Sequence, residues 1–313
     1  MDRRDFLKTL AIAGATFTIK SVSGNIDILS QTLAIGESEK NVDLVAIMGG
    51  EPEIMFRKAI AEMGGMGSFV KKGQKICVKP NIGWDKTPEL AGCTNPDLVG
   101  EIVKQCLEAG AKEVLVFDNT CDDWKKCYKH SGIEDAVIAA GGKILPGNDS
   151  SYYRKISLPK GIKIKEAKVH EAILDCDAWI NVPILKSHGG ANLTISMKNL
   201  MGIIWDRKIF HIKDLQQCIA DVCTLDKKPI LNVVDAYRVM KTNGPRGKSV
   251  EDVVNPKGLF ISQDIVAVDT AATQFFNQIR EMPLDHVGHL ANGQALKLGT
   301  MDLNSLNVKK IKL

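Results

Sequence analysis

The chain has 313 residues, 44% hydrophobic and 25% charged, the composition of an ordinary soluble globular protein long enough for one large domain or two small ones. Its net charge is +4, and the first 24 residues carry Arg3, Arg4, Lys8 and Lys20 against Asp2 and Asp5, so the remainder holds only +2. A near-neutral body with 5% aromatic residues lacks both the dense basic stripe and the stacking platforms of a nucleic-acid binder, and nucleic acid is excluded as a partner.

In chain order, Arg3-Arg4-Asp5-Phe6-Leu7-Lys8 precedes a mild apolar run, Thr9 to Ile19. This start resembles a twin-arginine export signal, a receptor-read address rather than an anchor. The run is too short for the roughly 20 residues a bilayer requires. The resemblance implies export to the periplasm or beyond through the twin-arginine machinery, with the membrane met only during export and the protein already folded. Residues 1–24 read as the signal, with cleavage after Ser21-Val22-Ser23 or after Thr32-Leu33-Ala34, and residues 25–40 as a linker.

From 41 to 313 apolar strands alternate with helical spacings. Val42 to Met48 is a strand, Glu51 to Met63 a helix, and Gln74 to Val78 a second strand followed by Lys79-Pro80-Asn81. Asn95-Pro96 is an N-cap with proline at the first helical position, opening a helix that ends near Ala109-Gly110. Glu113 to Phe117 is a third strand with Asp118-Asn119 after it, and Ile133 to Ala140 a helix. Val169 to Leu174 is ambiguous. Ala178 to Val182 is a short buried strand, and Pro183 ends regular pairing. Leu215 to Cys223 is helical. Ile230 to Val234 is a strand with Asp235 at its end, and Leu259 to Ser262 is the last clear strand. Asp264 caps a helix that runs to about Ile279. The alternation predicts an α/β fold of three layers, a mainly parallel sheet with helices on both faces. Residues 120–175 and 203–228 are set aside as a small inserted lobe.

In such a sheet the strand exits share one edge, where ligands bind. Lys79, Asn81, Asp118, Lys186, His188 and Asp235 then converge on one crevice, with Gln263-Asp264 at the same edge. Capping explains Asn95 and Asp264, but it does not need lysine, whose side chain loses much rotamer freedom when fixed. Ser196 and Asn199 stand at a short helix whose free N–H groups attract an anion, and Lys198 adds a charge. Arg246, in the loop Asn243 to Gly247, offers a planar cation. An anionic small molecule or cofactor is the expected ligand. His188 is expected to be general acid/base poised near neutral pH, with Lys186 and Lys198 beside it. No GxGxxG, GxxxxGK[ST] or HExxH occurs.

The eight cysteines form no CxxC, so no intrinsic iron–sulfur or zinc-ribbon motif is present. Cys77 and Cys106 read as buried hydrophobes. Cys121 with Cys127, or Cys218 with Cys223, are pairs that an oxidising compartment would allow. Cys93, near a helix start, is a candidate for a lowered thiol pKa. His286 and His289 read as a solvated surface pair.

The motifs VKPNI (78–82), TNPDLV (94–99), AGAKEVLVFD (109–118), SGIEDA (131–136) and INVPILKSH (180–188) continue with LTISMKNLMG (193–202), VVDAYRVM (233–240), NGPRG (243–247) and AVDTAA (267–272). Together they resemble the domain-of-unknown-function 362 (DUF362) family over about residues 42 to 300, which implies no established reaction. A fainter similarity is to lactate-racemase-type enzymes, which use a nickel-pincer nucleotide. There a His precedes a cofactor-linked Lys by about ten residues, and a metal-binding His follows. On that likeness His188 is an acid/base, Lys198 the anchor and His211 a metal ligand. Three readings remain open: an enzyme binding an anion, a non-enzymatic periplasmic ligand-binding or accessory protein, and a metal- or nickel-pincer-dependent racemase or redox enzyme.

Overall fold

The structure, a computed structural model, describes residues 42–313. The expected signal and linker lie outside the described residues. The elements in chain order are β1 (Leu44–Met48), α1 (Pro52–Glu62), β2 (Lys75–Pro80), α2 (Pro96–Glu108), β3 (Glu113–Val116), α3 (Trp124–His130), α4 (Ile133–Ala139) and β4 (Lys143–Ile144). They continue with β5 (Tyr153–Ser157), β6 (Glu166–His170), α5 (Glu171–Asp175), β7 (Ala178–Val182), β8 (Ile184–His188), β9 (Asn192–Thr194), α6 (Ser196–Asn199), α7 (Lys208–Lys213) and α8 (Leu215–Val222). The last are β10 (Leu231–Met240), β11 (Val253–Val254), β12 (Gly258–Ser262), α9 (Ile265–Ile279), α10 (Gly288–Ala295) and β13 (Val308–Lys312).

The main sheet runs β13-β1-β12-β10-β7-β2-β3-β4. The central path β10-β7-β2-β3-β4 is parallel throughout. β12 alone is reversed on this path, antiparallel to both β10 and β1. The fold is therefore α/β with a mostly parallel sheet. β1, β2, β7 and β12 are buried almost end to end because both faces are covered. Helices α1, α2, α3 and α4 cover one face, packing on Ile76, Val78, Val114, Val116, Ile180, Val182, Val233 and Ile261. Helices α6 and α9 cover the other, with α8 and α10 outside them. Strand side chains alternate between faces. Lys79, Asn181, Asn232 and Ser262, which alternate with that first set, therefore belong to the second face. They also stand in register across four neighbouring strands: Lys79 opposite Asn181, Asn181 opposite Asn232, Asn232 opposite Ser262.

Several elements differ from expectation. Pro183 does not end pairing: the chain continues as β8, beside β10, and turns back as β9. Lys186 and His188 thus lie in a strand, not a loop. β10 is twice the expected length, which puts Asp235 inside it. The reversal of β12 brings Gln263-Asp264 out beside the amino-terminal ends of its neighbours β10 and β1 rather than at their carboxyl ends, and Asp264 accepts from Val266 and Ala267 N–H as the cap of α9. β12 is not the last strand, because β13 pairs parallel with β1. β5 and β6 form a separate hairpin, tied to the 200s by Trp205 N–H donating to Lys168 C=O. All eight cysteines are free thiols, Cys121 exposed and the others buried.

Candidate functional site

A cleft of about 60 Å³ opens at the parallel-strand exits. It is lined by Lys79 and Asn81 after β2, Asp118 after β3, Lys186, His188 and Thr194 from the β8–β9 hairpin, and Lys198 and Asn199 from α6. Trp84, Cys121, Gly202 and Arg207 complete the wall. The sheet edge thus brings together seven of the expected site residues.

Lys79 is wholly buried. Its Nζ lies 2.8 Å from Asp118 Oδ1 and donates to Asn199 Oδ1 and Pro80 C=O, each at 2.9 Å. Two of these contacts are hydrogen bonds and the third, to Asp118, is an ion pair. Burial lowers its pKa, and Asp118 opposes the shift. The other Asp118 oxygen accepts from Ile82 N–H at 2.7 Å. Asn199 donates to Asn181 Oδ1, and Asn181 donates to Asn232 Oδ1 and Ser196 C=O. The buried amides beneath the cleft form one connected network.

Lys186 is also buried, and it has no carboxylate partner. Its Nζ donates to Gly92 C=O at 2.5 Å and Asn81 Oδ1 at 3.2 Å, leaving one donor over. Burial pushes its pKa down to about 8. Arg207, which sequence reasoning passed over, donates to Asn119 C=O, Asn119 Oδ1 and Thr120 C=O and likewise meets no carboxylate. Among the described residues Lys198 Nζ makes no hydrogen bond or ion pair. Desolvation, then Arg207, Lys186 and Lys79, push its pKa down to about 7. Four cations therefore surround a cleft whose one carboxylate, Asp118, is engaged by Lys79.

His188 departs from expectation. Its Nδ1 accepts from Gly190 N–H at 3.1 Å and Ala191 N–H at 3.0 Å, across the Gly189-Gly190 turn. That fixes the neutral tautomer with hydrogen on Nε2. Burial, with Lys198 and Lys186 nearby, pushes its pKa down to about 2. His188 is a standing hydrogen-bond donor rather than an acid/base poised near neutral pH. Thr194, opposite Lys186 in the hairpin, is 3% exposed, and its hydroxyl has no partner.

Four expected residues do not line the cleft. Ser196 N–H and Met197 N–H donate to the Asp269 carboxylate at 2.7 and 2.8 Å, so the α6 terminus already holds an internal anion. Asp235 accepts from Asn95 N–H at 2.7 Å and Tyr237 N–H at 2.9 Å, joining β10 to the start of α2; it holds structure, not ligand. Arg246 is exposed over the Trp84 ring and 3.5 Å from Asp122. His211 is exposed on α7. Among the described residues no three His, Cys, Asp or Glu side chains converge as a metal site. A cleft of about 60 Å³ is also far below the several hundred Å³ typical of sites for larger ligands. The residues present do not fit a nickel-pincer nucleotide.

Two further expectations fail. Burial raises the Cys93 thiol to about 11, the opposite of activation. His289 is fully buried, not solvated, with Nδ1 2.6 Å from Gln216 Oε1 and Nε2 unpartnered. Arg207 also borders a groove of about 950 Å³ that carries Lys155, Lys165, Lys168, Lys208 and Lys213 against Glu166 and Asp206.

Fold and site together define an α/β protein with a small, electropositive crevice at the strand carboxyl edge. The family described as Domain of unknown function (DUF362) matches residues 76–274, more than half of the chain, and the chain belongs to that family. It is 27% identical over 233 residues to the thylakoid-associated protein sll1697 of Synechocystis sp., a span of 69% of this chain and 67% of that protein. Among solved structures, the lactate racemase apoprotein from Thermoanaerobacterium thermosaccharolyticum aligns with a TM-score of 0.46 at 12% identity, over 77% of this chain and 58% of that one.

Proposed function

We propose that this protein is an enzyme acting on a small anion bound among Lys186, Lys198 and Arg207. The observation that carries this reading is the charge imbalance of the cleft: three cations without a carboxylate partner among the described residues face one small space. Desolvated positive charge is costly unless paired, and a small carboxylate or phosphate supplies the pairing. Thr194 and His188 Nε2–H add unused donors at the same wall. Lys198, with a pKa near neutral, carries the acid/base role expected of His188.

The test is calorimetric titration of the protein with acetate, lactate, phosphate and sulfate. Binding of at least one anion, lost in Arg207→Gln and Lys198→Met, is expected. Equal heats in the wild type and both variants would refute the reading.

We also propose export through the twin-arginine route, on the strength of Arg3-Arg4 followed by Phe6-Leu7-Lys8. Fractionation of the host should find the protein outside the cytoplasm, and replacing both arginines by lysine should retain it inside.

A further inference from the structure

Of the four cations at the cleft, only one is left without an anchor among the described residues. Lys79 is paired with Asp118 and hydrogen-bonded to Asn199 and Pro80, while Lys186 is tied to Gly92 and Asn81 and Arg207 to Asn119 and Thr120. These three are held as fixed charges. Lys198 has no acceptor, lines the same cleft and is surrounded by like charge. An amine placed that way pairs with an anion while it is charged and is available as a nucleophile once it has lost its proton. Around it the wall offers hydrogen-bond donors: the His188 Nε2–H, the unpartnered Thr194 hydroxyl, the spare Lys186 N–H and the free N–H groups of Arg207.

We infer that the cleft takes a small 2-oxo acid and that Lys198 Nζ forms an imine with its carbonyl carbon. The inference rests on the anion-binding reading above and names its substrate class. The carboxylate lies against Lys186 and Arg207, which puts the adjacent carbonyl beside Lys198. The neutral amine attacks the carbonyl carbon: a C–N bond forms and the π pair moves to oxygen, which the His188 and Thr194 donors receive. The carbinolamine loses its oxygen as water. The balanced change is Lys–NH3⁺ plus the ketone, giving the protonated imine plus one water, with no oxidant or reductant. A space of about 60 Å³ selects short acids such as glyoxylate or pyruvate.

Selectivity among lysines follows from protonation. Near pH 7 a far larger share of Lys198 than of an ordinary surface lysine is free amine.

The experiment incubates the full-length protein with pyruvate and cyanoborohydride at pH 7, followed by peptide mass spectrometry. In parallel, pyruvate and acetate binding are measured calorimetrically. The expected result is one adduct, on Lys198, heavier by a pyruvate unit less one oxygen. It should be suppressed by excess acetate and absent in Lys198→Arg, whose fold is checked by circular dichroism. Pyruvate and acetate binding equally with no adduct trapped overturns the imine and leaves the anion site standing. Labelling spread over Lys155, Lys208 and other surface lysines, unprotected by acetate, also overturns it. Failure of both acids to bind overturns the imine, and removes the anion-binding reading itself when lactate, phosphate and sulfate fail as well.

Discussion

Gly202 leaves no room for a side chain: a Cβ built there would lie 2.0 Å from Asp118 Oδ1 and 2.4 Å from Lys79 Nζ. Gly202→Ala is therefore expected to separate a buried ion pair, at a cost of about 3–5 kcal/mol, read as a lowered melting temperature and a disordered cleft. Thr194 makes the opposite case. Its hydroxyl is buried and unpartnered, so Thr194→Val should leave the ligand-free protein as stable or slightly more so. Yet it should weaken anion binding about fivefold, the worth of one hydrogen bond of ~1 kcal/mol. A fall in both quantities would mean that the hydroxyl serves the fold alone. At this scale much of the site was legible, because Lys79, Lys186 and Lys198 stand where charge has no capping use. The tautomer of His188 was not, since it depends on two N–H groups in a turn that only the hairpin creates. Arg207 was missed because nothing around it in sequence distinguishes it from a surface arginine.

Helix α6 is one turn long and yet positions both Lys198 and Asn199. A helix that short does not hold itself together in water. What holds it is the Asp269 carboxylate, reaching from α9 to two of its N–H groups. Burial pushes Asp269 up to about 7, so the helix cap itself titrates near neutrality. Asp269→Ala should cost about 2 kcal/mol or more as a lost cap in a buried setting, while Asp269→Asn should cost less and remove the titration. Chemical denaturation of both variants at pH 6 and 8 distinguishes these outcomes. Strands and helices with strong apolar patterns, such as Ala178–Val182 and Ile265–Ile279, were readable within a residue or two. The β8–β9 hairpin and β13 were not, because the polar residues Lys186, Ser187 and His188, and the lysines at 309, 310 and 312, hide strand character that only neighbouring strands confer.

For the whole molecule, pH dependence sums these groups with opposite signs. Lys198 and Lys186 have native pKa values of about 7 and 8 against an ordinary 10.4, so the unfolded chain binds more protons between those limits. Stability without ligand should therefore rise from pH 7 to 9. Asp269 and Asp235, raised by burial to about 7 and about 6, act oppositely and lower, between about pH 4 and 7. The histidines 170, 188 and 289, native at about 4, 2 and 3, remove stability as the solution is acidified below about 6.5. Scanning calorimetry should show the alkaline rise, reduced in Lys198→Met. Anion affinity should move the other way, falling above pH 7 as the same amines lose their charge. The lysine-bearing groove beside Arg207 adds a salt effect: association of anions should slow as ionic strength rises. The convergence of the strand exits was legible from the α/β alternation alone, whereas the reversal of β12 was not, since no strand announces its direction in its own residues.

The in-register row of Lys79, Asn181, Asn232 and Ser262 acts as a key against misassembly. Strands as uniformly apolar as β7 carry little information about alignment, and any slip would bury oil against oil at small cost. With the row in place, moving β7 by one residue swings the Asn181 amide into the apolar layer and strands the groups it serves on Asn232, Asn199 and Ser196. Replacing Asn181 and Asn232 together by leucine should then leave a compact but less stable protein, since Asn199 and Ser196 lose their partner, with strands that populate more than one alignment, visible as multiplied amide resonances.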